Sequence, residues 1–126
     1  MPQNAIHWFE IPALDIDRAV KFYNQVLGYT MAPFSMYNCT MAMFPCESGV
    51  GGAICKQENV QPSAQGSIVY LDCGPDLSVA LAKVEPAGGK ILMPKARRAV
   101  PVINVLGFFL INRQEARRFF EALVFQ

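Results

Sequence analysis

An internal repeat constrains the fold of this 126-residue chain more than any other feature of its sequence. The segment from Asp15 to Gly28 recurs 61 positions later, where Asp76 and Gly89 take the same places. In each copy a carboxylate suited to capping a helix precedes apolar residues at helical spacing, and a glycine suited to the left-handed conformation follows them. The apolar pairs are Ile16 with Leu77, Ala19 with Ala80, Val20 with Leu81 and Tyr23 with Val84. Agreement at cap, core and stop positions together indicates two copies of one structural unit.

Strand-like segments surround each predicted helix. Those with an apolar, aromatic or β-branched character are residues 5–12, 29–35, 39–44, 50–56, 67–73, 90–93 and 102–111. They give the first half of the chain the order β-α-β-β-β and the second half the order β-α-β-β before its last segment, and Pro86 ends the second helix early because proline cannot continue it. The pattern predicts an α+β fold made of two paired βαβββ modules.

The two modules are expected to form one domain over residues 1–126. Module one covers about residues 5–57, and module two covers about residues 67–126. Between them, residues 58–66 are rich in Gln, Pro and Ser and have the character of a linker. Neither module could bury both faces of its sheet alone, so we expect the two to be paired.

The end of module two has the pattern of a helix. Asn112 and Glu115 have the spacing of a capping box, and apolar residues then recur at helical intervals with arginines between them. This predicts an amphipathic helix over about residues 113–124, after the strand pattern of residues 102–111.

Charge and composition exclude several classes of partner. The formal net charge is +1, so the chain has no general electrostatic attraction to nucleic acid or to an anionic membrane. No stretch approaches the roughly 20 apolar residues that span a bilayer, and the first residues lack the basic start of a signal peptide. The four cysteines form no CxxC pair. We expect a cytoplasmic protein that binds neither nucleic acid nor membrane.

Three segments carry a resemblance to a known superfamily. They are HWFEIPALDIDRAVKFYNQVLGY, GGAI and VYLDCGPDLSVALAKVEPAGGKILMPK, which lie within residues 5–95. They resemble the small single-domain members of the vicinal-oxygen-chelate superfamily, which includes glyoxalases and bleomycin-resistance proteins. The resemblance implies paired βαβββ modules whose mixed sheet curls into a cleft, a homodimer, and a metal or a small hydrophobic ligand in that cleft. It also implies a closing strand where the pattern predicts a helix, so we expect the last strand to be replaced by the C-terminal helix.

The metal ligands implied by the resemblance are missing. The first ligand position falls on Trp8, and the neighbouring His7 points to the other face of the strand. The second position falls on Val69, and the closing segment that carries the family's glutamate does not occur. One histidine and scattered carboxylates make a poor divalent site, so we expect no metal and no cofactor.

The candidate site residues follow from the face that Trp8 occupies. Glu10 shares that face and is the candidate catalytic residue, because a carboxylate buried in an apolar hollow suits proton transfer; alternatively, it accepts hydrogen bonds or serves the dimer interface. His7 is expected to be hydrogen-bonded in the strand–helix layer. Methionines can line an apolar pocket, although they are equally suited to ordinary core packing. The candidate ligand-binding residues are Trp8, Tyr37, Cys39, Met41, Met43, Cys55 and Phe108.

Three functions remain open on these observations. The first is a glyoxalase-like protein that binds a small apolar or aromatic molecule in its cleft without a metal. The second is a lyase- or isomerase-type enzyme that uses Glu10. The third is a catalytically silent domain that serves association only.

Overall fold

A computed structural model describes residues 2–62, 67, 69–73, 77–91, 100–103 and 107–111. The chain divides into two compact units, Met1–Pro62 and Ser63–Gln126. The elements of the first unit are β1 (Trp8–Pro12), α1 (Ile16–Leu27), β2 (Phe34–Met36), β3 (Cys39–Met43) and β4 (Gly51–Gln57). They form a mixed four-stranded sheet in the order β1-β4-β3-β2, in which β1 and β4 are parallel and the other neighbours are antiparallel.

The helix α1 begins and ends where its sequence predicts. Asp15 has extended backbone angles, and its side chain accepts a hydrogen bond of 3.1 Å from the backbone N–H of Arg18, as an N-cap does. Gly28 has a φ of 71° and donates its N–H to the carbonyl of Asn24, which closes the helix in the left-handed conformation. One face of the helix is buried, and it consists of Ile16, Ala19, Val20, Phe22, Tyr23 and Val26.

The core of the first unit lies between α1 and one face of the sheet. Ala42 and Ile54 are fully buried on that face. The ring of Phe44 lies between those of Phe9 and Tyr23, with centroids 5.6 Å and 5.4 Å away. Burial raises the pKa of Tyr23 above its ordinary value. The alternation of side chains along the strands therefore divides the sheet into a helix-covered face and an opposite face.

The second unit repeats the topology of the first. Its elements are β5 (Tyr70–Asp72), α2 (Leu77–Val84), β6 (Lys90–Ile91), β7 (Val100–Ile103) and β8 (Gly107–Ile111). They form a four-stranded sheet in the order β5-β8-β7-β6, with β5 and β8 parallel and the other neighbours antiparallel. The same strand order in both units confirms the predicted α+β fold of repeated βαβββ units.

The second helix ends differently from the first. The left-handed glycine is Gly88, with a φ of 98°, and not the expected Gly89. Gly89 instead donates its N–H to the carbonyl of Val84, 2.9 Å away. The helix is eight residues long and Pro86 follows it, so the chain leaves the helix earlier than α1 does. The predicted cap Asp76 lies outside the described residues.

The expectation that the closing strand is missing is wrong. The predicted strand over residues 102–111 is divided into β7 and β8, and β8 pairs with β5 as β4 pairs with β1. Parallel pairing with β5 and antiparallel pairing with β7 give the backbone of β8 partners on both sides. The predicted helix over residues 113–124 lies outside the described residues. Neither helix in the described part of the chain is long and apolar enough to cross a membrane.

The predicted strand over residues 29–35 is also largely wrong, because only Phe34–Met36 pairs in the sheet. The side chain of Asn24 accepts a 2.8 Å hydrogen bond from the N–H of Met31 and donates a 3.1 Å bond to its carbonyl. The backbone of Met31 is therefore satisfied by a helix side chain, so it needs no partner in a sheet.

Candidate functional site

The sheet face of the first unit that lies opposite α1, called the open face below, carries most of the predicted site residues. The strand register places Glu10 beside Ala53 and Met41 beside Cys55, all with side chains on this face. Trp8 is 39% exposed there. The large apolar side chains that the open face exposes are Trp8, Phe34, Met36 and Met43.

A cleft of about 520 Å³ lies at the edge of the open face. Its lining consists of Glu10, Met36, Tyr37, Asn38, Cys39, Met41, Gln57, Glu58 and Asn59. All of these residues belong to the first unit. The cleft brings together four residues that the sequence singles out: Glu10, Tyr37, Cys39 and Met41.

Two turns form the rim of the cleft. Residues 37–38 connect β2 to β3, and Tyr37 there has a φ of 56°, which is rare for a bulky side chain. Its side chain is 99% exposed. Asn59, in the turn after β4, has a φ of 65°. A left-handed non-glycine residue carries strain of ~1–3 kcal/mol, and such strain is concentrated at binding and active sites.

The floor of the cleft is a packed cluster on β3 and β4. Met41, Ala53 and Cys55 are buried together, and Cys39 packs against them. Cys55 is only 2% exposed and is not among the residues that line the cleft, so its contact with a ligand stays a prediction. It lies in β4, between β1 and β3, and packs with Met41 and Ala53.

The thiol of Cys55 is a neutral hydrogen-bond donor at physiological pH. Burial, together with smaller contributions from the Glu10 carboxylate and the Cys39 thiol, raises its pKa to about 12. A thiol of this kind is not a nucleophile near pH 7, because the thiolate is the reactive form. In the site, the Cys55 thiol interacts with the Glu10 carboxylate and packs against Cys39.

Glu10 is exposed on the open face rather than enclosed, so the apolar hollow expected around it is wrong. Its Oε1 accepts a hydrogen bond of 3.3 Å from the indole Nε1 of Trp8. It also interacts with the Cys55 thiol. The carboxylate is thus oriented by a neutral donor, the Trp8 indole, and the thiol beside it is neutral as well.

The remaining candidates of the first unit lie away from the cleft. Trp8 and Met43 are on the open face but do not line the cleft. Phe108 lies in β8 of the second unit, opposite Val102. His7 precedes β1 and is exposed, so its expected place in the strand–helix layer is wrong. It lines a smaller cavity of about 230 Å³ with Pro2, Gln3, Asn4, Ile6, Gly49 and Val50.

Sequence reasoning missed five cleft residues, which are Met36, Asn38, Gln57, Glu58 and Asn59. Glu58 and Asn59 fall in the segment interpreted as a linker. A signal for them exists, because asparagine favours turns and tolerates the left-handed conformation. Two turns that contain asparagine and flank a pair of strands therefore indicate the same edge of the sheet.

The donor set does not fit the divalent metal that the resemblance implies. The first ligand position holds Trp8, whose indole N–H donates to Glu10 and offers no lone pair to a metal. Val69 occupies the second position. Across the described residues, no three His, Cys, Asp or Glu side chains are arranged to hold a metal ion.

Comparison with known proteins gives a match to part of the sequence and to the whole fold. The family model for the bleomycin resistance protein-like N-terminal region matches residues 6–44. Among solved structures, glyoxalase I of Leishmania major is similar with a TM-score of 0.69 at 16% identity, over 95% of this chain and 94% of that one. A glyoxalase/bleomycin resistance protein/dioxygenase domain from Frankia is similar with a TM-score of 0.66 at 12% identity, over 89% and 93%.

A mutant glyoxalase I from Zea mays is similar with a TM-score of 0.68 at 18% identity, over 90% of this chain and 47% of the maize protein. The chain therefore spans about half the length of the maize enzyme. No sequence among curated proteins matches this chain. At these identities the structural similarity establishes the fold alone.

Proposed function

We propose that this chain, whose fold is that of the vicinal-oxygen-chelate superfamily, binds a small molecule with an apolar or aromatic body in the cleft of its first unit, without a metal ion. The observation that carries this proposal is that Tyr37, Cys39 and Met41 lie with Glu10 around one cleft. Its volume of about 520 Å³ is within the range of small-molecule sites.

The apolar residues of the cleft can adapt to the shape of a ligand and offer exposed surface for it to cover. Met36 and Met41 are flexible and polarizable, so they adapt to ligands of irregular shape. The ring of Tyr37 is almost fully exposed, so covering it with a ligand would remove apolar surface from water at ~25 cal/mol per Å². The buried cluster beneath them gives the ligand a fixed floor.

Glu10 is the reason for a second candidate function, an enzyme of the lyase or isomerase type. Its carboxylate lines the same cleft, so a ligand with an acidic proton would lie within reach of a base. A lyase or isomerase of this kind would lose turnover in Glu10→Gln and keep its ligand affinity. The homodimer and the cytoplasmic location expected from the sequence remain part of the proposal.

The fluorescence of Trp8 provides the test, since it is the single tryptophan of the chain and is hydrogen-bonded to a cleft residue. A panel of aromatic compounds is titrated into the protein before and after treatment with EDTA. We expect saturable binding that EDTA leaves unchanged. A binding activity that requires stoichiometric nickel or zinc would refute the metal-free proposal.

Variants then locate the binding. Tyr37→Ala should weaken binding at least several-fold, because the side chain contributes contact area and is too exposed to hold the fold together. Leu14→Ala is the matched control, since Leu14 is an exposed apolar residue of the same unit outside the cleft. Equal affinity in the two variants would place the ligand elsewhere. No saturable binding by any compound would favour the association domain.

A further inference from the structure

The charged side chains that line the cleft are both acidic. They are Glu10 and Glu58, and the remaining polar residues there are the neutral amides Asn38, Gln57 and Asn59. Within the described residues, no lysine, arginine or histidine lines the cleft. Lys56 is next to Gln57 in the sequence, but it pairs with Thr40 and its side chain points to the other face of the sheet.

The negative charge of Glu10 is held in place without being cancelled. The indole N–H of Trp8 donates to one of its oxygens at 3.3 Å, and the second contact is a protonated thiol. The indole orients the carboxylate, and because both groups are neutral they leave its full charge facing the cleft. Its remaining lone pairs can only accept, which favours a ligand that donates hydrogen bonds.

An aromatic ring lies beside these carboxylates. Tyr37 is on the same rim, and its exposed ring can attract a cation through its negative face. The carbonyl oxygens of the three amides are further acceptors for N–H donors. A bound carboxylate or phosphate would meet two like charges and no cation among the described lining residues.

We propose that the ligand of this cleft is an organic cation, in which a protonated amine or an amidine is attached to the apolar or aromatic body and contacts Glu10 and Glu58. This inference rests on the proposed function, because it describes the chemistry of the same site. The aromatic part of the ligand covers Tyr37 and the methionines, and the cationic nitrogen reaches the carboxylates.

The test uses matched sets of probes that differ only in the terminal group and therefore in charge. Each set has one aromatic ring, phenyl or naphthyl, on a two-carbon chain that ends in an ammonium, a hydroxyl or a carboxylate. Affinities are measured by Trp8 fluorescence and by calorimetry at two salt concentrations. We expect the amine to bind on the order of 10-fold more tightly than the alcohol, the carboxylate to bind most weakly, and salt to reduce the preference.

Three variants connect the preference to its residues. Glu10→Gln and Glu58→Gln should each reduce the affinity for the amine several-fold and that for the alcohol by much less. Glu47→Gln is the matched control, because Glu47 is an exposed carboxylate of the same unit outside the cleft. Glutamine at position 10 can still accept the Trp8 hydrogen bond through its amide oxygen, so the shape of the site is kept.

The outcomes separate the two proposals. Equal binding of the amine and the alcohol overturns the cation inference and leaves the proposed function standing. A preference that persists unchanged in both cleft variants also overturns it, since the charge would then act elsewhere. No binding of any probe in either set refutes both proposals for aromatic ligands.

Discussion

Two neighbouring glycines of β4 respond differently to the same substitution, because their side chains would point to opposite faces of the sheet. Gly52 lies on the helix-covered face, where a Cβ would stand 2.5 Å from the Cδ1 and Cζ atoms of the Phe9 ring. Real Cβ atoms do not approach a ring this closely, so the ring must move in Gly52→Ala. The ring also packs against Phe44 with centroids 5.6 Å apart, so its movement disturbs the core. Overpacking of this kind destabilises by about 1–3 kcal/mol.

Gly51→Ala acts on the open face. Its Cβ would stand 3.3 Å from Cζ3 of Trp8 and 3.6 Å from Cβ of Cys46. The indole can make room by a few tenths of an ångström at a half-exposed position, so we expect a loss below about 1 kcal/mol. The same shift moves the group that donates to Glu10, so the Trp8 emission spectrum should change in this variant and remain closer to wild type in Gly52→Ala.

Urea unfolding followed by circular dichroism measures both losses, and a double-mutant cycle tests the cause. In a Phe9→Ala background the ring is absent, so Gly52→Ala should destabilise by much less than it does in the wild type. Gly51→Ala is the control, because its effect should be independent of Phe9. Additive effects of Phe9→Ala and Gly52→Ala would refute the reasoning, as would a Gly52→Ala protein with the stability of the wild type.

Two further predictions concern the thiol beneath the cleft and the cap of α1. The Cys55 pKa is 9.0 in its ordinary state and about 12 in the fold, so the folded chain holds this proton more tightly. The stability that the thiol contributes is therefore fully present below about pH 9 and is lost as the pH rises towards 12, at up to ~1.4 kcal/mol per pH unit. Urea unfolding of Cys55→Ala should lack this loss of stability at high pH. An equal pH dependence in the wild type and the variant would contradict the prediction. Asp15→Ala should destabilise the protein by about 1 kcal/mol in the same assay, because the Arg18 N–H loses its acceptor. Asp17→Ala, in the first turn of the same helix, is the control and should have a smaller effect. Equal losses in the two variants would show that the negative charge near the helix N-terminus, and not the cap, is responsible.

The sequence predicts those parts of the fold that depend on local contacts. Asp15 and Gly28 mark the ends of α1 because a cap acts within one turn of its helix. The repeat between the two halves correctly predicts the common order of elements. What fails depends on contacts that hydrophobic periodicity does not encode, as at Met31, where Asn24, seven residues earlier, satisfies the backbone in place of a strand partner. The residues of β8 are predicted as strand, but as one strand with those of β7, because the apolar pattern of residues 102–111 does not show that β8 pairs with the distant β5.

The sequence predicts which face of the sheet carries the candidate site, but not how deeply each of its side chains is buried. Strand alternation places Cys39 and Met41 on the same side as Glu10, and the cleft contains all three. The same alternation includes Cys55, whose burial depends on the central position of β4 in the sheet. Glu58 and Asn59 line the cleft because a turn follows β4, and from composition alone this turn has the character of a linker.

The position of β4 has a consequence for how the first unit is built during synthesis. Trp8 in β1 pairs with Gly51 in β4, so β1 leaves the ribosome about forty residues before the strand with which it forms backbone hydrogen bonds. Contacts close in sequence form α1 and the hairpin of β2 and β3 in the meantime, whereas β1 must wait with an unpaired edge. Completion of β4 then joins β1 to the hairpin in one event, because β4 pairs with both β1 and β3. We therefore expect a nascent chain that ends before Gly51 to remain open and prone to aggregation, and one that extends past Gln57 to close.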